Sequence, residues 1–384
     1  METPIERAGT RHMRRSARTT LVSISTETPG ELEITQPTLP MMSIEPKVTP
    51  ARKAAGGLFF DWMIVITSAW LTGGLFLDGW AHAHIPRLET FFTPWHAVLY
   101  SGFLAVALCH IVALVAYHRW GRAWRQAMPT GYGLSLLGIG IFALGGSGDL
   151  TWHLLFGIEK GVSALLSPTH LILALGGTLI VQGPFRAAWA RTSHTSRPRL
   201  PALLPMILSQ AMLLSVFAFF SQFMHPFVYV WSVVPASAVP SFYSQALGVA
   251  SIELQTTLMM GIILLMLRRW RLPFGALTLV LTISLSLMTI ISDHYWLIPV
   301  ALLAGLAADL LVWWLEPSTT RVLELRIFAF TVPVILFMLY FLAADLLWGI
   351  VWVIHLTLGS VVMAGIVGLL LSYAFVHPHI AIDE

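Results

Sequence analysis

Residues 94–118 read PWHAVLYSGFLAVALCHIVALVAYH, twenty-five positions without one Lys, Arg, Asp or Glu. A helix rising about 1.5 Å per residue needs about 20 such residues to cross a hydrocarbon layer, so this run predicts a membrane-spanning helix. Comparable runs recur along the chain, at 58–80, 131–150, 168–186, 201–224, 244–267, 274–292, 295–315, 325–345 and 350–376. With 94–118 they make ten spans, or nine if the last two form one bent segment. The expected fold is an all-α polytopic membrane protein.

The bulk composition agrees. Of 384 residues, 57% are hydrophobic and only 11% charged, and the mean hydropathy is +0.77. A soluble domain carries about 25% charged residues, which excludes a soluble enzyme on a single anchor. Continuous apolar runs without period-two alternation argue against a closed β-barrel. The single cysteine, Cys109, excludes intrachain disulfides and cysteine-based zinc or iron–sulfur sites.

Residues 1–57 are rich in Thr, Pro, Ser, Arg and Glu and lack an apolar core of signal-peptide length, and they read as a disordered tail. All but two of the 22 Lys and Arg fall in this tail or in 119–130, 186–200, 268–273 and 316–326. Arg87 and Lys160 alone lie on the other side. That asymmetry predicts both termini in the cytoplasm and a multi-pass protein of the cell membrane. It also explains the positive net charge of +3 without a nucleic-acid partner. Four regions follow: the tail 1–57, a four-helix region 58–186, additional helices over 187–376 and a short end at 377–384.

The anomaly is histidine, present 14 times in a chain this apolar, because histidine is costly in a bilayer and marks sites there. Four of the 14 fall into a repeated unit. The first copy reads Asp78-Gly-Trp-Ala-His82-Ala-His84, then Glu89, then Thr93-Pro94-Trp95-His96. The second reads Asp149-Leu-Thr-Trp-His153, then Glu159, then Ser167-Pro168-Thr169-His170. Positions i and i+4 share a helix face, so each Asp converges with its following His at the outer end of a span. Thr or Ser before Pro starts a helix well, which puts His96 and His170 in a first turn at similar depth. One carboxylate and two imidazoles per unit suit copper, zinc, iron or nickel rather than calcium or magnesium. Glu89 and Glu159 read either as extra ligands or as acceptors for ring N–H groups. His84 has no counterpart in the second unit and reads as an interfacial residue or a spare ligand.

These residues resemble the C subunit of the copper membrane monooxygenases, which oxidise methane, ammonia or short hydrocarbons. Asp78, His82 and the Thr-Pro-x-His96 element are similar to that subunit's Asp/His/His site. The second unit is similar to its neighbouring site, with Asp149 where the family has Asn and Trp152 where it has Gly. The resemblance covers about residues 75–185. It implies metal binding, copper first, by Asp78, His82 and His96 and by Asp149, His153 and His170. It also implies oxidation of a small apolar substrate at the outer face, and companion subunits. The family's subunit is shorter, so spans five to ten have no counterpart in it.

Intramembrane acids recur in the second half at Glu253, Asp293, Asp309 and Asp345, and Leu306-Ala-Ala-Asp309-Leu-Leu repeats as Leu342-Ala-Ala-Asp345-Leu-Leu. With His294 and His355 they suggest a proton path, a further metal site or helix-packing hydrogen bonds. His225 reads as structural, His110 with Cys109 as a buried pair, His118 as interfacial, and His377 and His379 as solvated.

Four functions compete on these features: a metal-dependent monooxygenase or subunit of one, acting with partner subunits or as a homo-oligomer; a permease using the intramembrane acids; a bis-His haem cytochrome; and a subunit whose metals only fasten helices. The haem reading is disfavoured, because each first histidine follows an Asp by four residues.

Overall fold

The computed structural model describes residues 57–85, 91–157, 161–191, 200–233 and 241–376. The tail 1–56, the end 377–384 with His377 and His379, and the predicted Glu89 and Glu159 lie outside these. The helices run α1 (Leu58–His84), α2 (Pro94–Arg119), the one-turn α3 (Trp124–Ala127), α4 (Gly133–Phe156) and α5 (Val162–Leu166). They continue as α6 (Pro168–Val181), α7 (Gly183–Arg191), α8 (Leu200–Phe220), α9 (Phe242–Arg269), α10 (Ala276–Ile291), α11 (Ile298–Leu315), α12 (Val322–Trp348) and α13 (Ile354–Phe375). Among the described residues there is no strand. Among the described residues, nine helical stretches are long and apolar enough to cross a membrane, with α6 and α7 counted as one stretch. A tenth apolar helix, α10, has only 16 residues. The last two spans do not fuse: Gly349, at φ +74°, ends α12 before α13 begins.

Helix ends follow local chemistry. Thr93 Oγ1 accepts the His96 amide at 3.1 Å and Ser167 Oγ accepts the His170 amide at 3.4 Å, so both Pro-led helices start where the sequence places them. α1 runs past the expected limit of 80 to His84, where the extended Ile85 precedes Pro86, as the residue before a proline prefers. α4 likewise runs past 150, and Gly157 at φ +78° stops it. Both extensions place Asp and His together on continuous helix.

Each repeated unit folds as a helix pair in tight contact. A Cβ on Gly74 would lie 2.6 Å from Leu99 Cα, and one on Gly102 would lie 2.7 Å from the Leu71 nitrogen. A Cβ on Gly145 would lie 3.0 Å from the Leu173 nitrogen, and one on Gly176 would lie 2.6 Å from the Phe142 nitrogen. Small residues let backbones approach where lipid supplies no hydrophobic drive between helices. The offsets match: each first glycine precedes its Asp by four residues, and each second follows its helix-start His by six. The unit is therefore Gly-x3-Asp-x3-His on one helix and Pro-x-His-x5-Gly on the next.

One buried apolar cluster joins α1, α2, α4 and α6, through residues such as Ile64, Val106, Phe142 and Ile180. A larger one runs through α8 to α13 and reaches back to Phe76 and Phe185. At the end opposite the Asp/His residues, Asp61 is buried, accepts the Tyr132 hydroxyl at 2.6 Å and pairs with Arg191, which ties α1 to α7. Large apolar side chains such as Phe59, Leu104, Leu108 and Leu144 point outward, as a lipid-facing surface requires.

Candidate metal centre

The tight α1–α2 and α4–α6 crossings bring each predicted triad together. Asp78 Oδ2 lies 3.8 Å from His82 Nε2 and 3.6 Å from His96 Nε2. Asp149 Oδ1 lies 3.5 Å from His153 Nε2 and 3.0 Å from His170 Nε2. In each triad the three ligand atoms lie within 4.8 Å of one another. The two triads also adjoin. Ring centroids are 5.8 Å apart for His82 and His96, 6.4 Å for His96 and His153, and 5.9 Å for His153 and His170. Four imidazoles thus form a continuous series with one carboxylate serving each end.

Three of the four opposite ring nitrogens are already occupied. His153 Nδ1 faces the Gly157 carbonyl at 3.2 Å and His170 Nδ1 faces the Ala164 carbonyl. A carbonyl only accepts, so those Nδ1 atoms carry a proton and each ring turns its Nε2 toward Asp149. His96 Nδ1 contacts Thr93 Oγ1 at 3.0 Å. This is how metal-ligating histidines are oriented from behind. Phe91 stacks on the His96 ring at 4.8 Å and 17° and lies 6.1 Å from the His153 ring, bracing both triads. Thr169 Oγ1 donates to Asp149 Oδ1 at 3.2 Å. Trp95 occupies the equivalent place in the first unit.

Two imidazole Nε2 atoms and one carboxylate converge at each triad. Asp78 Oδ1 and His153 Nε2 are buried and find no hydrogen-bond partner among the described residues, a costly state. A cation held between the three atoms of each triad would give these atoms a partner, so the donor set fits a metal ion.

Beside the triads lies a cavity of about 390 Å³. Asp78, His82, Asp149, His153 and His170 form part of its wall; most of the remainder is apolar, from α1, α5 and α6 and, outside the repeated unit, from α8, Phe223, Val228 and Ile291.

The other predicted residues go elsewhere. His84 points away from the triads: its ring stacks on Trp80, and its Nε2 meets Asp293 Oδ2 at 2.8 Å. Asp293 also accepts from the Tyr295 hydroxyl at 2.8 Å, and these two hydrogen bonds, His84 first, hold its carboxyl below the usual range. His294 Nδ1 contacts Ser292 and the Phe227 carbonyl. Buried Asp309 accepts the Gly275, Leu277 and Thr278 amides at 2.9–3.0 Å and the Thr278 hydroxyl at 2.6 Å. It caps the α10 N-terminus from the neighbouring helix, where the exposed amides and the helix dipole favour an anion. These contacts are helix-packing hydrogen bonds of the kind expected for the intramembrane acids. Its repeat partner Asp345 is exposed and reaches the Ile350 amide at 3.4 Å, His355 is exposed, and Glu253 is half-buried on α9. His225 is buried and accepts the Phe227 amide on Nδ1, and burial pushes its pKa down to about 3. His110 is buried, with Nδ1 on the Val106 carbonyl.

Sequence reasoning did not find the four crossing glycines, Thr169, Phe91 or the adjacency of the two triads. The glycine offsets are a sequence signal, repeated in register with Asp and His. The adjacency has none, because it depends on how α2 meets α4.

Comparison with models of known protein families, with curated proteins and with solved structures returns no match.

Proposed function

We propose that this chain is a membrane metalloprotein whose paired triads hold two copper ions side by side and support oxidation of a small apolar substrate. The observation that carries the reading is the convergence of two imidazole nitrogens on each Asp, with the opposite ring nitrogens of His96, His153 and His170 held by a hydroxyl or carbonyls. The similarity of Asp78, His82 and His96 to the copper monooxygenase C subunit supports copper, as does the high affinity of nitrogen-rich sites for Cu²⁺. Positive charge concentrated on the opposite side supports an outer-face site on the cell membrane. Such a complex includes partner subunits or a second copy of the chain.

Bound copper supplies the redox chemistry with oxygen. The chain's own residues do the rest. Asp78 and Asp149 neutralise the ion's charge. Gly157 and Ala164 hold the rings of His153 and His170 in one tautomer. Phe91 covers the junction of the triads from water, and the apolar cavity wall admits an uncharged molecule next to the ligands.

Metal analysis of the full chain in nanodiscs is the test, with copper loading followed by exhaustive washing. Two copper ions per chain, and one each in His82→Ala and His153→Ala, are expected. Retention of no metal by the unaltered chain overturns the proposal. Oxygen uptake with short-chain hydrocarbons then separates a working oxidase from a site that only fastens helices.

A further inference from the structure

The cavity is larger than a short-chain substrate requires. An apolar cavity of about 150 Å³ accommodates benzene, and this one measures about 390 Å³. Its far wall, meaning the lining from outside the repeated unit, is apolar and partly aromatic, with Val216, Phe219, Phe220, Phe223, Val228 and Ile291. No Lys or Arg lies among the described lining residues, whereas two carboxylates do. Without metal in the triads, an anionic ligand would enter without a counter-charge, at a large desolvation cost. Polar groups other than the triads are few, Gln222 and Tyr229 among them. Pockets of this size and lining take organic ligands, with a few polar groups setting orientation.

The geometry points to a binding site here for an uncharged, lipid-soluble organic molecule of about two fused rings, held with one edge against the Asp/His triads. The inference rests on the metal reading for the chemistry of one wall only; shape and charge of the cavity belong to the chain itself. The far wall comes from helices outside the repeated unit, which gives α8 and α10 a role in selecting the ligand. Aromatic rings at Phe219, Phe220 and Phe223 favour a flat ligand through offset or edge-to-face packing.

The test uses the full chain in nanodiscs, metal-free and copper-loaded, with 1-naphthol and 1-naphthoate as probes and empty nanodiscs as the partition control. The expected result is saturable 1-naphthol binding at one per chain and, in the metal-free chain, 1-naphthoate binding at least about tenfold weaker. Val216→Trp, which fills the cavity, is expected to weaken 1-naphthol binding by about tenfold or more with copper content unchanged. Phe220→Ala, which enlarges it, is expected to tighten binding of the three-ring 9-phenanthrol by about tenfold, a gain that misfolding does not imitate. Equal binding of naphthol and naphthoate by the metal-free chain overturns the proposal, as does binding unmoved by both substitutions. Saturable naphthol binding by a chain that takes up no copper on loading sinks the metal reading and leaves the cavity assignment standing.

Discussion

The rings of His96 and His153 lie 6.4 Å apart, centroid to centroid, although they belong to different copies of the repeated unit. This contact sets the two triads side by side. Copper in both would be expected to interact magnetically across it. We expect electron paramagnetic resonance of the doubly loaded chain to show dipolar broadening that is absent from Asp78→Ala and from Asp149→Ala. Identical narrow spectra in all three would mean that the centres act separately.

The crossing glycines position the ligands. A Cβ on Gly102 would lie 2.7 Å from backbone at Leu71, so a side chain there forces α1 and α2 apart. Gly102→Ala is expected to cost about 1–3 kcal/mol and to release copper from the first triad while the second keeps its ion. Gly176→Ala, against Phe142, is expected to do the converse. Thermal unfolding together with metal content measures both effects, and loss of both ions from each variant would argue against two independently framed triads.

Asp309 caps α10 from the neighbouring helix, so its removal is expected to act on stability. Removing a carboxylate that caps a helix costs about 1–2 kcal/mol, and the three amides left buried at Gly275, Leu277 and Thr278 place Asp309→Ala at or above the top of that range. Asp309→Asn keeps an acceptor and is expected to lose less. Copper content should be unchanged in both, and a proteoliposome proton flux abolished by Asp309→Asn would contradict the capping role.

His225 gives the fold a pH dependence of defined sign. Its pKa is near 3 when folded because burial disfavours the charged ring, and about 6.5 when unfolded. Between those values the unfolded chain binds more protons, so stability is full above about 6.5 and falls as the pH drops toward 3, by up to about 1.4 kcal/mol per pH unit. His225→Asn keeps an acceptor for the Phe227 amide and is expected to flatten denaturant-midpoint profiles over this window. An unchanged slope would show that other groups set the acid limit.

The sequence alone determined the architecture and the membership of each triad. Uncharged runs of membrane-spanning length force helices, because a backbone in lipid has no other way to satisfy its N–H and C=O groups. Asp and His four apart on continuous helix, and a Pro-led helix start with the next His two residues on, are local relations that depend on helix geometry only. The structure kept Asp78 with His82 and His96, and Asp149 with His153 and His170, on that basis. What the tertiary structure decided involves residues far apart in the chain. It joined His96 to His153, turned His84 away to Asp293, gave the near-identical Asp309 and Asp345 motifs different surroundings, and closed a cavity that Val216 and Phe219 line together with the triads. None of these follows from spacing, because each depends on which helix faces meet, and close packing of whole helices sets that.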